Sequence, residues 1–433
     1  MIGRILDCLS PLAVEVHGYH SMVPCGTCPS CLRRRSSHWD LRCRKDRAYY
    51  KKKADIESVR KRLKLCNVYE DKQLTDELII DLTYNNKFLP ADQSLNREDL
   101  QKFIKRFREN VRSRYGHTGV RVLYSGEYGE TGTHRPHYHL LFWNLPRAWV
   151  SEWRRVIEFC WSDFDRSVGT RESKGYIYCE VPRDFHSSAS YVSKSVSYVV
   201  KGGLHKFCRQ PKEKLEDFQR RTGRRTLPFV GASLGLGLDY LIEDCDCMSI
   251  MKQGYMQDGA YKVSIPRYYA NKMKDIYRHV FFFNSVSREI FNSEVPEVFT
   301  FEEISDIAAW KFASYDCSKQ RLYLKNALKK YGVDVEDVLN DDYTIDVSQV
   351  DTFVDLMPKV KEYNMSMSAC GALFFGDSVT KYQKWRRCVF EHQDSEYLSI
   401  TQRARNRWDS FVLSVEKGLV KKEKRICQSF LNS

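Results

Sequence analysis

Several things are missing from this 433-residue chain, and each absence removes a class of protein. No apolar run approaches the roughly 18 residues that a membrane span needs, and Met1 to Ser10 has no apolar signal-peptide core with a cleavage site. The sequence therefore implies a cytoplasmic protein without a membrane partner. There is no low-complexity tract, and no internal repeat beyond one short phrase discussed below. Glycine-rich Gly231 to Gly237 has no lysine following at nucleotide-loop spacing, so it is not an ATP loop, and no helicase motor is visible. Acidic residues are in deficit: 56 Asp and Glu stand against 70 Lys and Arg, a net charge of +14 that favours a polyanionic partner. What remains is 42% hydrophobic and 13% aromatic, enough to build cores for two or three domains.

Most of the 15 cysteines are scattered singly, as reduced core residues are. The exception is Cys25-Gly-Thr-Cys28-Pro-Ser-Cys31, with Cys8 upstream. Four thiolates at this spacing suit a structural zinc ion, with Gly26 and Pro29 suiting the tight turns. If Cys8 is too distant, His17, His20 or His38 could replace it; a metal-free cysteine cluster is the alternative. Arg33, Arg34 and Arg35 follow, then a basic stretch from Ser36 to Cys66 free of Gly and Pro. It predicts a helix with a broken apolar stripe at Trp39, Cys43, Ala54 and Val59, and a basic face suited to nucleic-acid phosphates or simply to solvent.

From residue 76 strands and helices alternate. Strands are expected at Glu77 to Tyr84, Gly119 to Gly129, Pro136 to Asn144 and Gly175 to Val181. Helices are expected from the Asn96 cap to about Arg114, with Leu100, Phe103, Ile104, Phe107 and Val111 buried, from Trp149 to Trp161 and from Ser188 to Lys201. This order predicts an α+β fold: a ferredoxin-like antiparallel sheet with helices on one face and the other face open for a site. Three regions follow, a Cys-rich basic segment at 1–72, the sheet domain at 73–205 and a mostly helical region at 206–433. Lys206 to Arg225 reads as a charged, mobile connection, and loops are expected near Asp341-Asp342 and Gly371.

In Arg135-Pro-His137-Tyr-His139-Leu-Leu-Phe142, strand alternation puts His137 and His139 on one face, with Tyr138, Leu140 and Phe142 in the core. Glu127, across the expected hairpin, is the proposed third ligand of a Mg²⁺ or Mn²⁺ ion. Tyr191-Val-Ser-Lys194 and Tyr198-Val-Val-Lys201 repeat one phrase seven residues apart, which on a continuous helix leaves both tyrosines within about 20° of one face. A tyrosine near a cation and a metal-held phosphate can act as a nucleophile. Equally, aromatics repeating at seven can simply pack a helix on a sheet.

These motifs resemble the HUH endonucleases that initiate rolling-circle replication, and among them the replication initiators of gokushovirus-type microviruses, small single-stranded DNA phages. The resemblance rests on Pro24 to Cys31, Leu82-Thr-Tyr84, Gly126 to Gly129, Arg135 to His139, Ser190 to Lys194 and Pro266 to Tyr269. It implies a site-specific nickase, acting in the cytoplasm of an infected bacterium on single-stranded or nicked viral DNA alongside host polymerase and helicase. Such an enzyme is joined covalently to the 5′ phosphate before religating the strand. It further implies His137, His139 and Glu127 as metal ligands and Tyr191 as nucleophile, with Lys194 stabilising charge, Lys201 and Tyr198 as a second pair, and Arg135 touching the strand. The family's second tyrosine usually lies four residues after the first, where this chain has Ser195. A non-catalytic zinc-knuckle nucleic-acid binder and a water-using phosphodiesterase are the competing classes.

Overall fold

The computed structural model describes residues 8, 11–16, 19–53, 74–129, 132–165, 167, 169–194, 199–200, 203–204, 206–207, 213–293, 297–350, 353–374 and 376–389. Two compact units divide the chain, one built on Met22–Asp246 together with the segment carrying Cys8, the other on the chain from Cys247 onward.

In the first unit the long basic stretch forms α1 (Pro29–Lys53). The sheet order then begins with β1 (Leu78–Thr83), α2 (Arg97–Tyr115), β2 (Arg121–Tyr128), β3 (Pro136–Trp143), α3 (Val150–Cys160), β4 (Ile177–Glu180) and α4 (Phe185–Lys194). A fifth strand, β5 (Phe229–Ala232), comes from beyond residue 205. The strands form one five-stranded antiparallel sheet in the order β4-β1-β3-β2-β5.

Alternation along each strand sorts its side chains between two cores. Leu78, Ile80, Leu82, Val122, Tyr138, Leu140 and Phe142 face α2 and α3, whose Leu100, Phe103, Phe107, Trp153, Val156 and Ile157 complete the larger core. Asn96 caps α2 by accepting from the Glu98 and Asp99 N–H groups, and Gly116 ends it in the left-handed conformation at φ 66°. The strand and helix positions expected here are observed closely.

The opposite face is not open, contrary to expectation. Leu123, Leu141 and Trp143 on that side pack against Cys43 of α1 and against Phe185, Ala189 and Val192 of α4. The reason is that β2 and β3 are apolar at both parities toward their α2-distal ends, and two-sided apolar strands require cover on both faces. Asp46 of α1, fully buried, fastens this layer: it accepts from Arg121 through two bonds (Nε at 3.0 Å, NH2 at 2.7 Å), from Trp143 Nε1 at 3.0 Å and from the Gly237 N–H at 2.7 Å.

Two further expectations are corrected. The last helix ends at Lys194, because β-branched Val199 and Val200 pair instead with Leu204 and Gly203 in a short hairpin. Within the stretch 206–225, Leu215–Thr222 is an ordered helix with Phe218 buried, and its charges are engaged: Arg221 pairs with Glu213, and Arg224 and Arg225 bind the loop at Asp92 and Gln93.

The second unit is mostly helical as described, with helices Arg267–Ile276, Arg278–Phe291, Phe301–Leu328 and Met357–Phe374 and a further helix at 377–389. They share a separate core around Ile307, Trp310, Leu324, Tyr363, Tyr382 and Trp385. A turn lies at Asp341-Asp342, whereas Gly371 sits inside a helix rather than a loop.

Candidate metal centre and tyrosine

The centre of the sheet carries the site. On β3, His137 lies across from Thr83 of β1 and Glu127 of β2, and His139 across from Asp81 of β1 and Ser125 of β2. Same-face alternation thus brings four polar side chains from three strands together on the α4 side. Glu127 Oε1 stands 3.1 Å from His137 Nε2 and 2.8 Å from His139 Nε2. His139 donates its Nδ1 proton to Asp81, which fixes the ring with Nε2 facing Glu127. His137 turns its Nδ1 to the Arg135 carbonyl at 3.1 Å.

Burial shapes the charges. It pushes the Glu127 carboxyl up, but hydrogen bonds from His137 and His139 outweigh it and hold that group at about 2. Burial likewise pulls His139 down, yet its bonds to Asp81 and Glu127 raise the imidazole to about 9. Two carboxylates against one buried imidazole make a pocket that favours added positive charge.

Glu127, His137 and His139 offer one carboxylate oxygen and two imidazole nitrogens to a common point. Adjacent ligands of an octahedral ion with bonds near 2.1 Å are separated by about 3 Å, which matches the 2.8 and 3.1 Å found here. Two nitrogens, one oxygen and room for others suit Mg²⁺ or Mn²⁺.

Tyr191 of α4 reaches this cluster from the covering layer. Its hydroxyl lies 3.4 Å from His139 Nε2, and the two rings meet edge-on with centroids 4.8 Å apart. The side chain is 47% exposed, so the phenol stands between the ligands and solvent. Helix α4 is held by α1 through Ser36 Oγ to Ser193 Oγ at 2.9 Å and Asp40 to His186 Nδ1 at 3.1 Å. The basic helix therefore supports the tyrosine as well as presenting Arg33, Arg34 and Arg35 near its first turns. Lys194 closes α4 and is exposed. Arg135 is committed locally, to the Tyr84 carbonyl at 3.2 Å and to Asn86 Oδ1. Tyr198 and Lys201 lie outside the described residues.

Asp81 escaped the sequence reading. The signal was there: it is the one carboxylate within the apolar strand Leu-Ile-Ile-Asp-Leu-Thr, at the parity opposite to the buried leucines.

A second cluster gathers Cys8, Cys25, Cys28 and Cys31. Cys8 Sγ lies 3.9 Å from Cys28 Sγ and Cys25 Sγ 4.0 Å from Cys31 Sγ, close to the ~3.8 Å edge of a tetrahedron with 2.3 Å zinc–sulfur bonds. The Cys25 and Cys28 N–H groups donate to Cys8 and Cys25 sulfurs at 3.3 Å each, as thiolates in such turns accept. Hydrogen bonding with Cys28 and Cys8, with burial added, drives the Cys31 thiol well above its ordinary value, a crowding that a dication would relieve. All four are free thiols, and His38 is not among them. His17 lies outside the described residues, as does the side chain of His20.

Together these features define an α+β protein with a two-histidine, one-carboxylate metal-ligand set facing a half-exposed tyrosine. Residues 77–202, from β1 through α4, match a family model of replication-associated proteins, that of the ORF2 type. The chain is also 24% identical over 283 residues to the replication-associated protein ORF2 of Spiroplasma virus 4, an alignment covering 62% of this chain and 72% of that protein. No solved structure matches. Among the described residues no helix is long and apolar enough to cross a membrane.

Proposed function

We propose that this protein is a viral replication initiator: a metal-dependent endonuclease and strand transferase of the HUH type that opens single-stranded origin DNA in rolling-circle replication. The observation that carries the reading is Tyr191, whose hydroxyl stands 3.4 Å from a nitrogen of the Glu127, His137, His139 set. The strand order β4-β1-β3-β2 supports a ferredoxin-like core, and the similarity to viral replication-associated proteins supplies the biological setting.

Glu127, His137 and His139 would hold Mg²⁺ or Mn²⁺, which when bound supplies positive charge to neutralise a phosphodiester under attack. Asp81 keeps His139 in the tautomer that directs Nε2 to the ion. The Tyr191 oxygen attacks phosphorus in line; its phosphate–oxygen bond forms as the bond to the leaving 3′ oxygen breaks. The phenolic proton passes to solvent, and the leaving oxygen takes up a proton to become a 3′ hydroxyl for a host polymerase. The 5′ phosphate stays on Tyr191, conserving the ester for rejoining without ATP. Lys194, at the end of the same helix, adds charge stabilisation, and Arg33, Arg34, Arg35 and Arg135 hold the strand through its phosphates. Tyr198, with Lys201, would serve a second transfer. The Cys8, Cys25, Cys28, Cys31 set would hold a structural zinc ion.

A labelled origin oligonucleotide incubated with Mn²⁺ and protein tests this on a denaturing gel. His137→Ala and His139→Ala should abolish cleavage while DNA binding survives, with Glu127→Ala weaker in effect. Undiminished cleavage by either histidine variant at limiting metal would remove the site from the reaction. A chain that binds but never cuts under any metal would favour the zinc-knuckle binder.

A further inference from the structure

On the helix side of the sheet, opposite the metal ligands, a cavity of about 400 Å³ opens between α2 and the β2–β5 edge. Val122 and Tyr124 line it, at the strand parity opposite to Leu123, Ser125 and Glu127, so it is a separate place on the molecule. From α2 it takes Lys105, Arg108 and Arg112, spaced at three and four residues on one ridge of the helix.

Arg108 is the unusual member. Its one hydrogen bond among the described residues runs from NH2 to Ser233 Oγ at 2.8 Å, and its Nε is enclosed with no acceptor. No carboxylate pairs with it among the described residues. Burial and the nearby Arg121 both oppose its charge, lowering its pKa from the ordinary value. Ser233, itself buried, accepts a second bond from the Val122 N–H at 2.9 Å. With both lone pairs of that oxygen engaged, its proton has no acceptor among the described residues. Arg112 is held by Glu109 at 2.8 Å, while Lys105 projects into solvent. The polar groups at the cavity floor are thus donors in search of an acceptor, around a guanidinium whose charge nothing offsets. A group with several anionic oxygens completes such a set. Tyr124 and the almost fully exposed Leu234 add apolar wall beside it, suited to the sugar and base attached to a phosphate.

We infer that the cavity formed by Lys105, Arg108 and Ser233 binds a backbone phosphate of single-stranded DNA, a second anchor for the strand on the face of the sheet away from the metal ligands. This rests on reading the chain as a single-strand DNA enzyme, but concerns binding rather than cleavage.

The test measures binding of an oligonucleotide of about 25 nucleotides, longer than the roughly 4–16 nucleotides of one strand-binding site, by fluorescence anisotropy across a salt series without divalent ions. Arg108→Gln and Lys105→Gln should each weaken binding about tenfold and flatten the slope of log affinity against log salt by about 0.7 for the lost phosphate contact. Lys105 is exposed, so its variant reports binding without disturbing the fold; thermal melting checks Arg108→Gln. Unchanged affinity and slope in both variants overturn the inference. So does a calorimetric titration in which inorganic phosphate binds tightly and independently of the oligonucleotide, since the ligand would then be a free phosphate compound. Covalent adduct formation on a short oligonucleotide reports the nickase reading separately, so either idea can fail alone.

Discussion

Asp81 is the residue whose role is most sharply defined by its neighbours and least by its motif. By accepting the His139 Nδ1 proton it leaves Nε2 facing Glu127. Carboxylates behind a metal-binding imidazole commonly contribute about 10–100-fold in metal affinity. Asp81→Asn should therefore weaken Mn²⁺ binding by that order in calorimetry while leaving the melting temperature nearly unchanged. Equal metal affinity in the variant would show that the contact is incidental. Asp46 presents the opposite case, a buried carboxylate in a structural role. Replacing it with Ala strands Arg121 and the Trp143 N–H, and breaking a buried pair of this kind costs about 3–5 kcal/mol. Thermal or denaturant unfolding of Asp46→Ala should show that loss; a variant within about 1 kcal/mol of the parent, on the order of a surface change, would mean that solvent reaches the site.

At the scale of elements, α2 shows how local chemistry and packing agree. Asn96 satisfies two N–H groups of the first turn, while its own N–H donates to Tyr138 and its carbonyl accepts from that hydroxyl. Asn96→Ala removes only the side-chain cap and should cost about 1 kcal/mol, read by denaturant midpoint. The α1 element depends instead on its first turn, where Cys28 and Cys31 meet Cys8 and Cys25. Purified protein should carry about one zinc per chain, and its removal by a strong chelator should loosen α1 at its N-terminal end first, because folding there is coupled to the ion. A metal-free preparation with unchanged hydrogen exchange in α1 would contradict this.

Those same elements show what a sequence discloses. Asn96, the Leu100-Phe103-Phe107 stripe and the His-Tyr-His alternation are local patterns, and each translated directly into a cap, a buried face and a pair of same-side imidazoles. The cover on the second face could not be read, because Cys43, Trp39, Phe185 and Ala189 meet Leu141 and Trp143 only through tertiary contacts. The early end of α4 was missed because a heptad of tyrosines outweighed Val199-Val200 and the glycines after them. Asp81 was visible as an odd residue in its strand, but its purpose depends on strand order, which places β1 beside β3.

For the whole molecule, the net charge of +14 and the site's placement have one consequence. A strand held by phosphates should bind more weakly as salt rises, while the chemical step depends on a single phenol beside a single ligand set. The most direct measurement is to trap the protein on a labelled origin oligonucleotide with Mn²⁺, digest it, and identify the modified peptide by mass. The account predicts the nucleotide on Tyr191, with no adduct and no cleavage in Tyr191→Phe, a change that keeps the ring and its packing on His139. An adduct on Tyr198 alone, or cleavage that persists in Tyr191→Phe without any adduct, would contradict it.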